Sequence, residues 1–315
     1  MALNLGEWFC LKEGRSSLQP VLPYDGHFLF CHEGIVEAGV RLSIEKSFAT
    51  DQPVKMLILG NWGVGKTHLL HNLQWWLEEN RADYPCHPVS IEVGDIEKKS
   101  RFDSIVAPLL SQMGIDYLVQ LVNDFRSMEP NVNQALIDHG VSHEVAKALT
   151  MFQLTVPGQP AAPHVQTAFE FLRGGGTGKN LSDAGLSGPI TESATLYKVL
   201  LGIGYMHRRV HKHRLLFIAD EAARLELVEA DPATESHWIN ANKQIFDAGN
   251  GEFGFIYTVS ASRRQLPRPL WDPQIQNRLG SNVVELKPLQ ETDVGAFLKA
   301  LLDEFVDPVK LEELQ

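Results

Sequence analysis

Cysteine is scarce in this chain of 315 residues, which contains only Cys10, Cys31 and Cys86. The three are widely spaced and form no CxxC pair, which argues against a zinc site and predicts reduced thiols in a cytoplasmic protein. The 12 histidines do not change this conclusion, because no pair of them sits at ligand spacing beside a cysteine or carboxylate pattern.

Long apolar runs are also missing. No stretch approaches the roughly 20 apolar residues that span a bilayer, and residues 1–10 lack a basic region followed by an apolar run. We therefore expect no membrane span and no secretory signal. Positive charge is in short supply, since 28 Lys and Arg accompany 39 Asp and Glu and the net charge is −11. This charge disfavours a protein that coats DNA with its whole surface, but it permits a local basic patch.

The pattern of apolar residues predicts an α/β fold. Short apolar or alternating runs predict five strands, at 54–59, 89–93, 215–219, 253–260 and 283–286. Helical periodicity predicts helices at 32–48, 67–79, 102–113, 142–153, 164–173, 192–210 and 292–305. Because the strands are separated by helices, we expect a five-stranded parallel sheet with helices on both faces.

Residues 60–67 contain a complete G-x-x-x-x-G-K-[ST] phosphate-binding motif between a predicted strand and a predicted helix. Its glycines let backbone N–H groups turn inward around phosphates, and the helix that follows directs its positive end at them. Lys66 should reach the β- and γ-phosphates of ATP, and the Thr67 hydroxyl should ligate Mg²⁺. The predicted ATP-binding residues are Gly60, Asn61, Trp62, Gly63, Val64, Gly65, Lys66, Thr67 and His68.

A second glycine-rich run, Gly174–Lys179, resembles this motif only superficially. Asn180 replaces the required Ser or Thr, and no strand precedes the run. We predict a flexible loop there.

Two adjacent acids, Asp220 and Glu221, end the apolar run 215–219. Neighbouring carboxylates at the end of a buried strand repel each other unless a positive charge lies opposite, and Mg²⁺ at the phosphate loop would supply it. Asp220 would then hold the metal through its water shell, and Glu221 would orient and activate the attacking water. The competing interpretation is an acidic pair that caps the next helix.

Two further catalytic roles each have more than one candidate residue in the sequence. Thr258 and Ser260 lie on one face of the fourth strand, and either could position the attacking water. Arg278, just before the last strand, is the preferred arginine for stabilising transition-state charge in a neighbouring subunit. Arg263 and Arg264 are the runners-up.

Residues 207–214 form the densest basic run, with three histidines, three arginines and one lysine. Cations at the end of a helix are favourable by themselves. The alternative is a patch that binds DNA or the acidic surface of a partner protein.

The order of these features along the chain resembles that in AAA+ ATPases, and most of all in their Orc/Cdc6-like group. The features are the phosphate loop, a long helical region, the acidic strand, the polar strand, an arginine, and Pro288-Leu289 before a helix. The resemblance implies a core of residues 33–114 and 206–288, preceded by a lead-in (1–32). It also implies a helical insertion (115–205) and a helical lid that is truncated (289–315). The lid arginine that usually senses the γ-phosphate has no candidate.

A narrower stretch resembles the ATP-binding proteins of bacteriophage-exclusion (BREX) defence systems. It comprises Phe171-Leu172-Arg173-Gly174, a glycine-rich gap, Leu181 to Gly185, and a helix that leads into the acidic strand. This resemblance implies an anti-phage ATPase that acts with partner proteins on DNA.

The sequence thus predicts a cytoplasmic, Mg²⁺-dependent ATPase that forms homo-oligomers and couples hydrolysis to DNA-linked remodelling or assembly. An alternative is a signalling switch that binds ATP, oligomerises and activates an effector with slow turnover. A small-molecule kinase is a weaker alternative, because such enzymes seldom place an Asp-Glu pair at this strand end.

Overall fold

The computed structural model describes residues 36–94, 102–153, 161–247, 251–262, 265–288, 294–295 and 299. Five strands lie in this part of the chain, and all are in one sheet. They are β1 (Lys55–Leu59), β2 (Cys86–Glu92), β3 (Arg214–Asp220), β4 (Phe253–Val259) and β5 (Val283–Glu285). All five lie where the sequence predicts a strand, and their ends differ from the prediction by up to three residues.

The strand order is β2-β3-β4-β1-β5, and every neighbouring pair is parallel. The carboxyl ends of all strands therefore meet at one edge of the sheet, which we call the carboxyl edge, and their first residues form the amino edge. Because β4 lies between β1 and β3, the loops that follow these two strands flank the end of β4. The predicted five-stranded parallel sheet is confirmed.

Helices cover both faces of the sheet. On one face, α1 (Val36–Ala49) and α2 (Lys66–Glu79) enclose a compact apolar core with side chains of β1 and β3. Both helices are confirmed within the described residues. The other face carries a larger continuous core that joins the sheet to the remaining helices. Burial of side chains on both faces explains why β3 and β4 are almost uninterrupted apolar runs.

Within the residues that the structure describes between β2 and β3, there are six helices. They are α3 (Asp103–Met128), α4 (Val132–Asp138), α5 (His143–Thr150), α6 (Pro163–Leu172), α7 (Gly178–Asp183) and α8 (Ser193–His211). The predicted helices at 142–153, 164–173 and 192–210 are confirmed as α5, α6 and α8. These helices pack into the same core as the sheet, with α8 against β3 and β4 and α3 against β2.

The predicted end of a helix at Gly114 is wrong. Gly114 has φ 81° and interrupts the helical geometry, but α3 resumes after it and continues to Met128. A glycine with positive φ usually ends a helix. Here the second half of α3 buries Leu118, Val122 and Phe125, and this packing lets the helix continue beyond the kink.

By length and composition, α3 could also cross a membrane, since an 18-residue window has a mean hydropathy of 1.4. However, nine of its apolar side chains are buried in the protein core on both sides of the kink. We therefore interpret α3 as a core helix of the fold.

The prediction of a flexible loop over Gly174–Lys179 is wrong in part. The glycines do form a turn, but Gly178 and Lys179 begin α7. The side chain of Leu181 in α7 is fully buried and packs against Gly176, where a Cβ atom would come within 2.9 Å of it. Tertiary packing of this leucine fixes a segment whose composition alone favours disorder.

The last strands are connected by a 3₁₀ helix (Ala222–Ala230), α9 (Pro232–Asp247), α10 (Arg268–Trp271) and α11 (Pro273–Leu279). The predicted lead-in (1–32) lies outside the described residues. So does the predicted lid helix at 292–305, apart from Val294, Gly295 and Lys299, which are helical.

Candidate functional site

The phosphate-binding motif forms the turn between β1 and α2 at the carboxyl edge. Gly63 and Gly65 have φ values of 78° and 93°, a region that favours glycine, so they let the backbone turn sharply just before α2 begins. Gly60 is required for a different reason. A Cβ atom at this position would lie 2.6 Å from Val64 Cγ2 and 3.0 Å from the Leu286 carbonyl oxygen.

Lys66, at the start of α2, is only 4% exposed. Its Nζ donates hydrogen bonds to the carbonyl oxygens of Gly60 and Asn61, each at 3.1 Å. Burial lowers the pKa of Lys66, and the nearby carboxylates of Glu221 and Asp220 oppose this shift. The side chain thus folds back on its own loop, beside two acids and at the place where phosphates would bind.

The acidic pair lies beside the phosphate loop. Thr67 Oγ1 donates a hydrogen bond of 2.9 Å to Asp220 Oδ2, although the two residues are 153 positions apart in the sequence. Glu221 directly follows β3 in a left-handed conformation, with φ 60° and ψ 36°. A non-glycine residue adopts this conformation at a cost, and such residues concentrate at functional sites.

Thr258 in β4 and Ser260 directly after it bind different carboxylates of the acidic pair. The fully buried Thr258 hydroxyl donates to Asp220 Oδ1 and accepts a 3.1 Å hydrogen bond from the Glu221 backbone N–H. Ser260 Oγ donates to Glu221 Oε2 at 2.9 Å. The two candidates that the sequence could not separate therefore have different contacts. Thr258 orients the acid that faces Thr67, and Ser260 orients Glu221.

The oxygen atoms at this place suit Mg²⁺. A hydroxyl and a carboxylate converge, and hard oxygen ligands are those that Mg²⁺ prefers. Within the described residues, no group of three or more His, Cys, Asp or Glu could enclose a metal ion. This fits Mg²⁺, which proteins usually bind through one or two oxygen side chains together with substrate phosphates and water.

Comparison with solved structures supports the fold. The Orc2 protein of Aeropyrum pernix, solved in ADPNP-ADP complexes, superposes with a TM-score of 0.51 at 14% identity, over 95% of this chain and 58% of that one. The parallel sheet, the loop after β1 and this superposition agree. The chain has an α/β P-loop NTPase fold. It spans less than two thirds of the length of the Orc2 protein.

Two further solved structures match this P-loop protein less closely. A Walker-type ATPase of Pyrococcus abyssi has a TM-score of 0.42 at 15% identity, over 87% of this chain and 59% of that one. The Orc1 protein of Aeropyrum pernix in complex with DNA has a TM-score of 0.40 at 14% identity, over 96% and 54%. No protein-family model matches the chain, and no curated protein matches it significantly.

Arg278 lies away from the phosphate loop of its own chain. It is on α11 and forms an ion pair with Asp247, with Nη2 2.7 Å from Oδ2, close to Lys55 at the amino edge. Its role in the site of a neighbouring molecule stays a prediction. Arg263 and Arg264 lie outside the described residues.

The other predicted loop residues differ in exposure. Asn61 is exposed, Val64 is half-buried against the α1 and α2 core, and Trp62 is 77% exposed. His68 lies in the first turn of α2, and burial, followed by the nearby His71, lowers its pKa. These positions are consistent with a phosphate loop, but no contact distinguishes their individual roles.

Part of the predicted basic patch at 207–214 is internal. His207 and Arg214 are buried, and Arg208 pairs with Asp51. Arg214 also pairs with Asp51 and donates a 3.0 Å hydrogen bond to the Gln52 carbonyl oxygen. The whole run therefore does not form a surface. Arg81 joins the exposed part of this run in the fold, although no local sequence pattern connects the two.

Proposed function

We propose that this protein binds ATP with Mg²⁺ and hydrolyses it. The observation that carries the proposal is the 2.9 Å hydrogen bond between Thr67 and Asp220, because it places both halves of the expected Mg²⁺ site together. Glu221 lies directly beside this contact, oriented by Ser260. A P-loop protein that only bound a nucleotide would not need an acid poised next to the metal-binding pair.

Each residue would have a distinct task in hydrolysis. Backbone N–H groups of residues 60–67 and the ammonium of Lys66 would hold the phosphates. Thr67 and Asp220 would hold Mg²⁺, which, when bound, neutralises charge on the β- and γ-phosphates. Glu221 would accept a proton from the attacking water as its oxygen bonds to the γ-phosphorus, and the bond to the β-phosphate oxygen would break.

A second copy of the chain would complete the site. Arg278 of one molecule would stabilise the transition-state charge in its neighbour, a contribution worth about 10³–10⁵-fold in rate for arginines of this kind. The distance of Arg278 from its own phosphate loop supports this arrangement, and ATP binding would then promote homo-oligomers.

We further propose that hydrolysis drives DNA-linked remodelling or assembly in the cytoplasm, together with partner proteins of an anti-phage defence system. The Orc/Cdc6-like sequence pattern supports the link to DNA, and the resemblance of residues 171–185 to BREX proteins supports the defence role. The alternative is a signalling switch with slow turnover.

The ATPase rate with and without DNA, measured alongside the assembly state, separates these functions. Marked stimulation by DNA would support remodelling. Assembly driven by ATP, with slow turnover that DNA does not change, would support the switch. Absence of both nucleotide binding and hydrolysis would overturn the whole proposal.

A further inference from the structure

The exposed residues of the basic run 207–214 lie at the amino edge of the sheet. Arg209, His211 and Lys212 are exposed at the end of α8, and His213 is half-buried. Within the described residues, Arg209 and Lys212 form no ion pair, and Lys212 Nζ donates only to the Arg209 carbonyl oxygen, at 2.7 Å.

The segment between α2 and β2 adds to this cluster. Exposed Arg81 and half-buried His87 lie next to the end of α8. The His87 ring is 5.7 Å from the His207 ring, which in turn is 4.6 Å from the His211 ring. Burial lowers the pKa of His213, and the nearby Arg81 and His211 lower it further. We call Arg81, His87, Arg209, His211, Lys212 and His213 the amino-edge cluster.

Acids near the cluster compensate only part of this charge. Asp51 forms ion pairs with Arg208 and Arg214. Glu78 raises the pKa of His87, whereas the nearby cations lower it. The two exposed guanidinium groups, Arg81 and Arg209, have no carboxylate partner in the described part of the chain. An anionic ligand would relieve the mutual repulsion of the cluster.

The two edges of the sheet differ in charge. At the carboxyl edge, strands β2, β3 and β5 end in Glu92, Asp220-Glu221 and Glu285. The amino-edge cluster is separated from this acidic edge by the length of β3, roughly 20 Å for seven extended residues. On a chain with a net charge of −11, the amino-edge cluster is thus a local positive patch, separate from the ATP site.

We propose that the amino-edge cluster binds the phosphodiester backbone of nucleic acid, without preference for base sequence. This inference rests on the proposed DNA-linked function and assigns its contact surface. Guanidinium groups match phosphate oxygens in pairs, and nucleic acid presents the closely spaced anions that such a cluster requires. The cluster contains no Phe, Tyr or Trp side chain, so its contacts are with phosphates and not with a specific base sequence.

The test measures the salt dependence of DNA binding for the full chain. Arg81→Gln/Arg209→Gln removes two cations from the cluster, and Lys179→Gln/Lys243→Gln removes two from α7 and α9 as a charge-matched control. Affinity for a fluorescent duplex of random sequence is measured by anisotropy over a range of salt concentrations. ATP-analogue binding and circular dichroism are recorded for every variant.

We expect the cluster variant to bind DNA about tenfold more weakly and its salt slope to fall by about 2, the value for two lost phosphate contacts. The control should bind like the wild type. Equal binding by both variants would overturn the inference while leaving the DNA-linked function intact. If the wild type bound ATP but no DNA, that function would fail as well. Binding of poly-glutamate but not DNA would show that the surface serves an acidic protein instead.

Discussion

Lys66 is expected to form stronger hydrogen bonds with the phosphates of ATP than with its own loop. The Lys66 ammonium contacts two carbonyl oxygens, and phosphate oxygens would give charge-assisted hydrogen bonds worth about 1.5–3 kcal/mol each. Lys66→Ala should therefore weaken ATP binding by about a hundredfold or more, measured by titration with a fluorescent ATP analogue. Lys46→Ala, at an exposed position of α1, is the control. Normal affinity in Lys66→Ala would refute the phosphate-loop assignment.

Glu221 is expected to act in the chemical step and not in binding. Glu221→Gln keeps the size and hydrogen-bonding capacity of the side chain but cannot accept the proton of the attacking water. We expect nucleotide affinity to stay within about twofold, because the change spares the phosphate contacts. Turnover should fall by about 10²–10⁴, and oligomers should accumulate in the ATP-bound state. Phosphate release and size-exclusion chromatography with light scattering measure the two effects. Unchanged turnover would remove Glu221 from the mechanism.

Thr258 and Ser260 should differ when each loses its hydroxyl group. Thr258→Val removes the two hydrogen bonds of the buried hydroxyl, one to Asp220 Oδ1 and one from the Glu221 N–H, at a cost of about 0.5–1.5 kcal/mol each in the free energy of unfolding. It should also weaken the Mg²⁺ dependence of ATP binding. Ser260→Ala acts at a half-buried position, so it should lower kcat with little effect on stability. Urea denaturation and steady-state kinetics compare the variants, and identical profiles would contradict the separate contacts seen here.

At the scale of elements, the packing of the phosphate loop against β5 depends on Gly60. Gly60→Ala would push a methyl group onto Val64 and the Leu286 carbonyl oxygen, and overpacking of this kind costs about 1–3 kcal/mol. We expect Tm to fall by several degrees and ATP binding to weaken, because Val64 belongs to the loop.

Gly39→Ala in α1 is the matched control for this glycine. A methyl group added at Gly39 would meet no other atom within 4 Å, and alanine favours a helix over glycine by about 0.5–1 kcal/mol. The Tm of this variant should therefore stay level or rise. A loss of stability equal to that of Gly60→Ala would show that crowding is not the cause.

The elements that the sequence predicted correctly are those with strong local patterns. The strand at Leu215–Ala219 is buried on both faces, and that burial requires the continuous apolar run from which it was predicted. The predictions at Gly114 and Gly174–Lys179 were wrong because distant apolar contacts override the local preference of glycine. The division of roles between Thr258 and Ser260 and the burial of Arg214 depend on neighbours far away in the sequence. No periodicity encodes such contacts.

At the scale of the whole molecule, stability should depend on pH through His207. This ring accepts or donates a 2.6 Å hydrogen bond with Tyr117, and burial, with nearby His and Arg residues, lowers its pKa to about 3. Between that value and the ordinary pKa of about 6.5, the unfolded chain binds a proton that the folded chain excludes. Stability contributed by the neutral ring is therefore complete above pH 6.5 and decreases as the pH falls toward 3.

His207→Gln should reduce this dependence on pH. Glutamine can still hydrogen-bond to Tyr117 but does not titrate, so the fall in Tm between pH 7 and pH 4 should be smaller than in the wild type. Differential scanning calorimetry at several pH values measures the effect. A control substitution, His143→Gln on α5, should leave the profile unchanged. Parallel profiles for His207→Gln and the wild type would show that other groups govern the acid sensitivity.

The central claim is that the phosphate loop and the acidic end of β3 form one Mg²⁺–ATP site. A crystal structure with Mg²⁺ and a non-hydrolysable ATP analogue tests it. We expect a metal ion about 2.1 Å from Thr67 Oγ1, with Asp220 contacting its water shell and Lys66 turned from the carbonyl oxygens to the phosphates. Nucleotide bound elsewhere, or an Asp220 carboxylate too far away to reach the metal or its waters, would contradict the proposed ATPase site.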